Sequence, residues 1–305
     1  MLTQLKSAVP WWGKIAMKLI LARVPISYRQ FARLGVFRHG FMDSADYALG
    51  VFRDHTRHAP MTPWVGLEFG PGDSVFSAVL AKRSGCQNLW LVDAGDFADK
   101  HPSLYRAMAE QLERTQSMEG LVSLCAADDF TTLLAGCGTS YLTQGVASLA
   151  SIDSESVDLV WSHAVLEHVR VADFERLCEE MYRILRPGGV ASHVVDFKDH
   201  LGGQLNHLRI PERLWEQDWF AQQSGFYTNR IRFSAMLHCF AQAGFTVEVL
   251  YERRWEQAPI GRHELAPEFR SIDPQDLLIS DGHFLLRKPQ ARAKPVPDLP
   301  PLNRT

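Results

Sequence analysis

The segment Glu68-Phe69-Gly70-Pro71-Gly72-Asp73 follows a short apolar run and precedes a helical pattern. Glycines at such a strand-to-helix corner let the backbone turn tightly and approach a ligand closely. A dinucleotide site would seat a pyrophosphate on the helix N-terminus here, but Glu68 and Asp73 would repel it. The third glycine of the dinucleotide fingerprint would fall at residue 75, which is Val75. A cationic ligand without phosphates fits better than a dinucleotide, and the competing structural role is an ordinary turn with Asp73 as a cap.

Asp93 ends a second apolar run 25 positions after Glu68, near the ~20-residue spacing at which an acidic side chain reaches ribose hydroxyls. Its two oxygens can accept from both vicinal hydroxyls. S-Adenosylmethionine combines a sulfonium, an ammonium group and an adenosine, so this corner suits it. A second polar group, His163, His168, Asp196, Asp199 and His200, falls near the ends of two later apolar runs, where open α/β sheets place their sites. A histidine beside a carboxylate can deprotonate a hydroxyl, which assigns His200 as proton acceptor with Asp196 and His163 beside it. The same groups also suit a divalent cation, although no ligand spacing in the chain defines a metal site. Their structural alternative is a loop capped by Asp199.

The elements that must carry these residues can be read from periodicity. Strands are expected at 64–70, 88–93, 140–143, 157–162, 190–196, 246–252 and 282–287. Helical patterns lie between them: one from residue 74, with Asp73 and Ser74 as caps and Val75, Phe76, Val79 and Leu80 on one face; one at 101–115; one carrying Phe174, Leu177, Cys178, Met181, Ile184 and Leu185 and ended by Pro187-Gly188-Gly189; and one at 233–243 stopped by Gly244. This alternation implies a parallel sheet with right-handed crossovers, and the last two runs a closing antiparallel pair.

Glu68-Phe69-Gly70-Pro71-Gly72, Asp93, Ser156-Val157-Asp158-Leu159-Val160, Val165-Leu166-Glu167-His168-Val169 and Arg183-Ile184-Leu185-Arg186-Pro187-Gly188-Gly189 occur in that order. Over residues 64–255 the chain resembles the class I S-adenosylmethionine-dependent methyltransferases, especially their small-molecule branch with a Leu-Glu-His-Val segment. The resemblance implies a Rossmann-like, doubly wound, mainly parallel seven-stranded sheet with an antiparallel last strand. It implies that Glu68, Gly70, Pro71 and Gly72 line the methionine part of S-adenosylmethionine, that Asp93 holds the ribose, and that Ser162 and His163 form the wall beneath the methyl. Val146 and Ala147 match a segment beside the adenine in which the family usually has an aspartate. Residues 196–200, 227–232 and 243–245 have a looser likeness to methyltransferases of polysaccharide or glycolipid biosynthesis, where Asn229, Arg230 and Arg232 would suit a hydroxyl-rich or phosphorylated acceptor.

The 305 residues are 46% hydrophobic and 22% charged, enough for a sizeable core. A net charge of -3 and a pI near 6.5 argue against nucleic acid as a partner, and five scattered cysteines suit a reducing cytoplasm. The expected organisation is an N-terminal helical cap over 1–60, a catalytic domain over 61–288 and a proline-rich disordered tail over 289–305. Lysines interrupt the apolar residues of 1–27, which excludes a membrane span there. They leave two readings: an amphipathic helix at the membrane surface, or one docked on the enzyme. The function expected is O-methylation of a small-molecule, glycan-like or lipid-linked acceptor, with an NAD(P)-dependent oxidoreductase and a non-catalytic membrane-surface scaffold as alternatives.

Overall fold

A computed structural model describes residues 11–13, 15, 41–61, 63–223 and 226–290. The amphipathic reading of 1–27 and nearly all of the proposed tail lie outside the described residues. The sheet contains all seven expected strands: β1 (Trp64–Phe69), β2 (Cys86–Val92), β3 (Thr139–Leu142), β4 (Val157–His163), β5 (Leu185–Asp196), β6 (Thr246–Arg254) and β7 (Ile279–Arg287). Their order is β3-β2-β1-β4-β5-β7-β6. The first five pair in parallel, and β7 is antiparallel to both β5 and β6. This is the doubly wound, Rossmann-like sheet expected from the sequence. Strand order reverses outward from β1 and β4, so their C-terminal ends open onto the crevice where such sheets bind ligands.

Helices cover both faces. Helices α1 (Ala45–Thr56), α2 (Phe76–Arg83) and α3 (Pro102–Gln116) close one core with Leu89, Leu91, Leu159 and Trp161. Helices α4 (Val171–Ile184) and α5 (Phe233–Gln242) close the other with Leu67, Val160 and Ala191. Alternate residues of β4 thus serve opposite cores, as a strand period of two requires. Helix α4 buries Phe174, Leu177, Cys178, Met181 and Ile184, the face read from spacing, each large side chain contributing roughly 1.5–3 kcal/mol.

Two local expectations are corrected. Helix α2 starts at Phe76, and Asp73 does not cap it; the Ser74 hydroxyl accepts from the Phe76 N–H at 3.2 Å. Helix α4 ends at Ile184 rather than at Pro187-Gly188-Gly189, because Leu185 already pairs with Val157 and the glycines lie in the following bulge. The buried face of α1 runs through Ala45, Ala48, Leu49, Val51, Phe52 and His55, leaving Tyr47 40% exposed.

Candidate active site

The corner after β1 depends on Gly70 and Gly72, with φ of +66° and +68°, a region L side chains enter at a cost. A Cβ on Gly70 would stand 2.5 Å from Val165 Cγ2, so glycine is also required for space. The Gly70 N–H donates to the Val92 carbonyl at 2.8 Å, tying the corner to the end of β2. Pro71 is buried within it.

Asp93 stands beside this corner. One carboxylate oxygen accepts from the Gly72 N–H at 3.1 Å and the other from the Ala94 N–H at 2.7 Å. Burial pushes the Asp93 carboxyl up to about 6 against these two bonds, and the charge of Asp73 adds to the rise. Glu68 is turned under the turn, where it accepts from the Ser77 hydroxyl, and burial raises it to about 7. Gly145 donates to the Asp93 carbonyl at 2.8 Å and opens a 3-10 turn (Gly145–Ser151) carrying Val146 and Ala147. That turn occupies the stretch that had no expected element. Ser162 presents no side chain to the crevice: it is fully buried, with Oγ 2.8 Å from His193 Nδ1 on the opposite core.

Two acceptor oxygens beside a positive-φ glycine turn, ringed by Glu68, Asp73 and Asp93, fit the hydroxyls and positive charges of S-adenosylmethionine and disfavour a diphosphate. An ionised Asp93 accepts from a vicinal diol better than a protonated one. Affinity for S-adenosylhomocysteine should therefore rise as pH increases through about 6, and titration calorimetry between about pH 5 and 8 should find that Asp93→Asn loses this rise and keeps only the part due to Glu68, raised to about 7.

The expected base cluster divides in two. Asp199 does not pair with His200. Its two oxygens accept from the backbone N–H groups of Leu201, Gly202, Gly203 and Asn206 and from Asn206 Nδ2, so it organises its own loop. Asp196 pairs with Lys198 at 3.0 Å. His200 packs against His168, with ring centroids 4.9 Å apart. Removing Asp199 with alanine should cost about 3 kcal/mol, because four backbone donors lose a charged acceptor; His200→Ala, at an exposed position, should change stability by less than about 0.5 kcal/mol. Urea unfolding of both variants checks the contrast.

The acceptor-facing reading of 229–232 is likewise corrected. Asn229 donates to the carbonyls of Leu166 and Val169, Arg230 to that of Ile210, and Arg232 to those of Phe197, Asp276 and Ile279. All three side chains are buried and pin loops together.

His163 sits at the end of β4 in a second polar run that the sequence reading missed. Its Nδ1 lies 3.2 Å from His55 Nε2; His55 Nδ1 lies 2.8 Å from Ser192 Oγ; Ser192 Oγ lies 2.8 Å from His283 Nε2. Across the sheet His163 is in register with Val194, and Val194 with His283, so α1 lays His55 over one line of polar groups. Burial lowers His163 and His55, and takes His283 down to about 4. All of them are therefore neutral near pH 7. A histidine inside the apolar run 282–287 was the one available signal.

Residues 67–192, less than half of the chain, match the family model described as a methyltransferase domain. The matched segment runs from β1 into β5 and includes the acid-ringed glycine corner, so this part of the chain is similar to a methyltransferase domain. No match was found among curated proteins. Among solved structures, it is similar to a Haemonchus contortus phosphoethanolamine N-methyltransferase 2 complex with phosphomonomethylethanolamine and S-adenosylhomocysteine, at 18% identity and TM-score 0.44, over 84% of this chain and 54% of that one. The chain thus spans about half the length of that protein. It is also similar to a Mesorhizobium loti S-adenosylmethionine-dependent methyltransferase, at 16% identity and TM-score 0.43, over 81% and 100%. A third, from Archaeoglobus fulgidus, has 11% identity and TM-score 0.44, over 80% and 95%. Among the described residues no helix is long and apolar enough to cross a membrane.

Proposed function

We propose that the enzyme methylates a hydroxyl oxygen of a small-molecule acceptor, glycan-like or lipid-linked, with His163 taking the proton. The observation that carries this reading is the hydrogen-bonded run from His163 through His55 and Ser192 to His283. When bound, S-adenosylmethionine supplies a methyl carbon made electrophilic by its sulfonium, and in-line alignment with the acceptor provides much of the rate. A hydroxyl must also lose its proton, whereas a neutral amine can attack first and lose it afterwards. A neutral His163 can accept that proton on Nε2, while its Nδ1 side faces groups able to share the charge. Asp93, Gly70 and Gly72 would hold the nucleoside, Glu68 would act from beneath the turn, and the backbone of Val146, Ala147 and Ser162 would border it.

Acidic groups at the corner argue against the NAD(P) alternative, and the ordered turn argues against a non-catalytic scaffold. The test is incubation of the protein with isotopically labelled S-adenosylmethionine and panels of hydroxyl, amine and thiol acceptors. Label appearing as an O-methyl ether supports the proposal. Label found only on nitrogen, sulfur or carbon overturns it.

A further inference from the structure

Immediately after β4, Leu166–His168 forms a single 3-10 turn that places Glu167 and His168 near His200 of the loop following β5. Candidate ligand atoms of these three side chains all lie within 4.8 Å of one another, and theirs is the only such group of histidine, cysteine or acidic residues among the described residues. Glu167 is 3% exposed, yet no side chain donates to its carboxylate and neither oxygen has a partner at full hydrogen-bond geometry, the backbone N–H groups of Glu167 and Asp196 being the only donors nearby. A buried carboxylate this short of donors is costly. Helical caps and loop bonds, which account for Asp199 and Asn229, leave Glu167 unexplained.

Two further observations point the same way. His168 Nδ1 lies 3.0 Å from the Tyr227 carbonyl. A carbonyl only accepts, so Nδ1 carries the proton and Nε2 carries the lone pair. Orientation of a ring by a backbone carbonyl through its other nitrogen is the arrangement that supports metal-binding histidines. The nearby cation, Lys198, is engaged by Asp196 at 3.0 Å and Asp281 at 3.5 Å, so it does not neutralise Glu167 by direct pairing.

We infer that Glu167, His168 and His200 form a binding site for a divalent first-row transition-metal ion. Two imidazoles and one carboxylate favour Zn²⁺, Fe²⁺ or Co²⁺ over Ca²⁺ or Mg²⁺, which prefer all-oxygen shells. Bonds of about 2.1 Å put the ligand atoms of a tetrahedral ion roughly 3.4 Å apart, so the side chains need to close by little more than about 1 Å. Both histidines are exposed and Glu167 is buried, so the ion would be held from below by the carboxylate. Its remaining positions would face solvent. A hydroxyl of the acceptor could fill one of them and become more acidic; this last step rests on the O-methylation reading, whereas the ion site does not.

The test is titration of the tag-free full chain, stripped with chelator, with Co²⁺ alone, followed by visible absorption and calorimetry. One Co²⁺ per chain is expected, with affinity falling about tenfold or more in Glu167→Gln and in His200→Ala and unchanged in His238→Ala, an exposed histidine outside the group. His200→Ala removes an exposed side chain and keeps the test decisive should Glu167→Gln unfold. Absence of saturable binding, or equal affinity in wild type and His200→Ala, overturns the site. Because Co²⁺ binding is read without turnover, its failure leaves the methyl-transfer reading standing, and failure to methylate oxygen leaves the ion site standing.

Discussion

Replacing His163 with glutamine should lower kcat by about 10²- to 10⁴-fold, the usual contribution of a positioned general base, while affinity for S-adenosylhomocysteine stays unchanged. Glutamine keeps polarity and approximate size, so its contacts with His55 and Tyr47 need little repacking, but its amide does not accept a proton near pH 7. The pH profile adds a second reading. Burial holds His163 below its ordinary value of 6.5, and only the neutral ring is a base. In the wild type, with S-adenosylmethionine saturating so that Asp93 does not contribute, kcat/KM for the acceptor should therefore climb as pH rises through a value under 6.5 and then level off, and His163→Gln should lose this limb. Ser192→Ala, which interrupts the run one group further on, should slow turnover less and shift the limb. A His163→Gln enzyme that keeps most of its kcat would end the assignment of the base.

The second large effect is expected at Gly70. Alanine there must adopt φ near +66°, at about 1–2 kcal/mol, and its Cβ meets Val165 Cγ2 at 2.5 Å, adding about 1–3 kcal/mol of overpacking. The variant should lose about 2–5 kcal/mol in denaturant unfolding. Binding of S-adenosylhomocysteine should fall at least about tenfold, because the Gly72 N–H and Asp93 are positioned by the same turn. Val165→Ala in the Gly70→Ala background should return the steric part and leave the conformational part, a coupling that a double-mutant cycle isolates. Unaltered stability and affinity in Gly70→Ala would mean that the corner has been misassigned.

The strands, the covering helices and the glycine corner were legible because each rests on local rules. The short apolar run within residues 157–163, the 3.6-residue spacing from Phe174 to Ile184, and glycines between a strand and a helix all report on neighbours a few positions away. Asp93 was legible for a related reason: one crossover sets its distance from Glu68, and the two strands pair in register, Glu68 with Leu91 and Phe69 with Val92. No local rule distinguishes a base from a cap. Asp199 and His200 are adjacent in the chain and read as a pair, but five donors converge on Asp199 only once the loop closes. Arg230 and Arg232 read as acceptor-binding groups until packing buries them against carbonyls.

Residue order therefore set the class of ligand, through turn chemistry and charge confined to a few adjacent positions. Packing of distant segments chose the groups around the acceptor side. His55 meets His163 across 108 positions and Ser192 across 137, and Ser192 meets His283 across 91. Contacts at that separation depend on strand order and on how α1 lies over the sheet, and side-chain burial such as that of Glu167 depends on all the elements around it. Spacing along the chain carries no record of either.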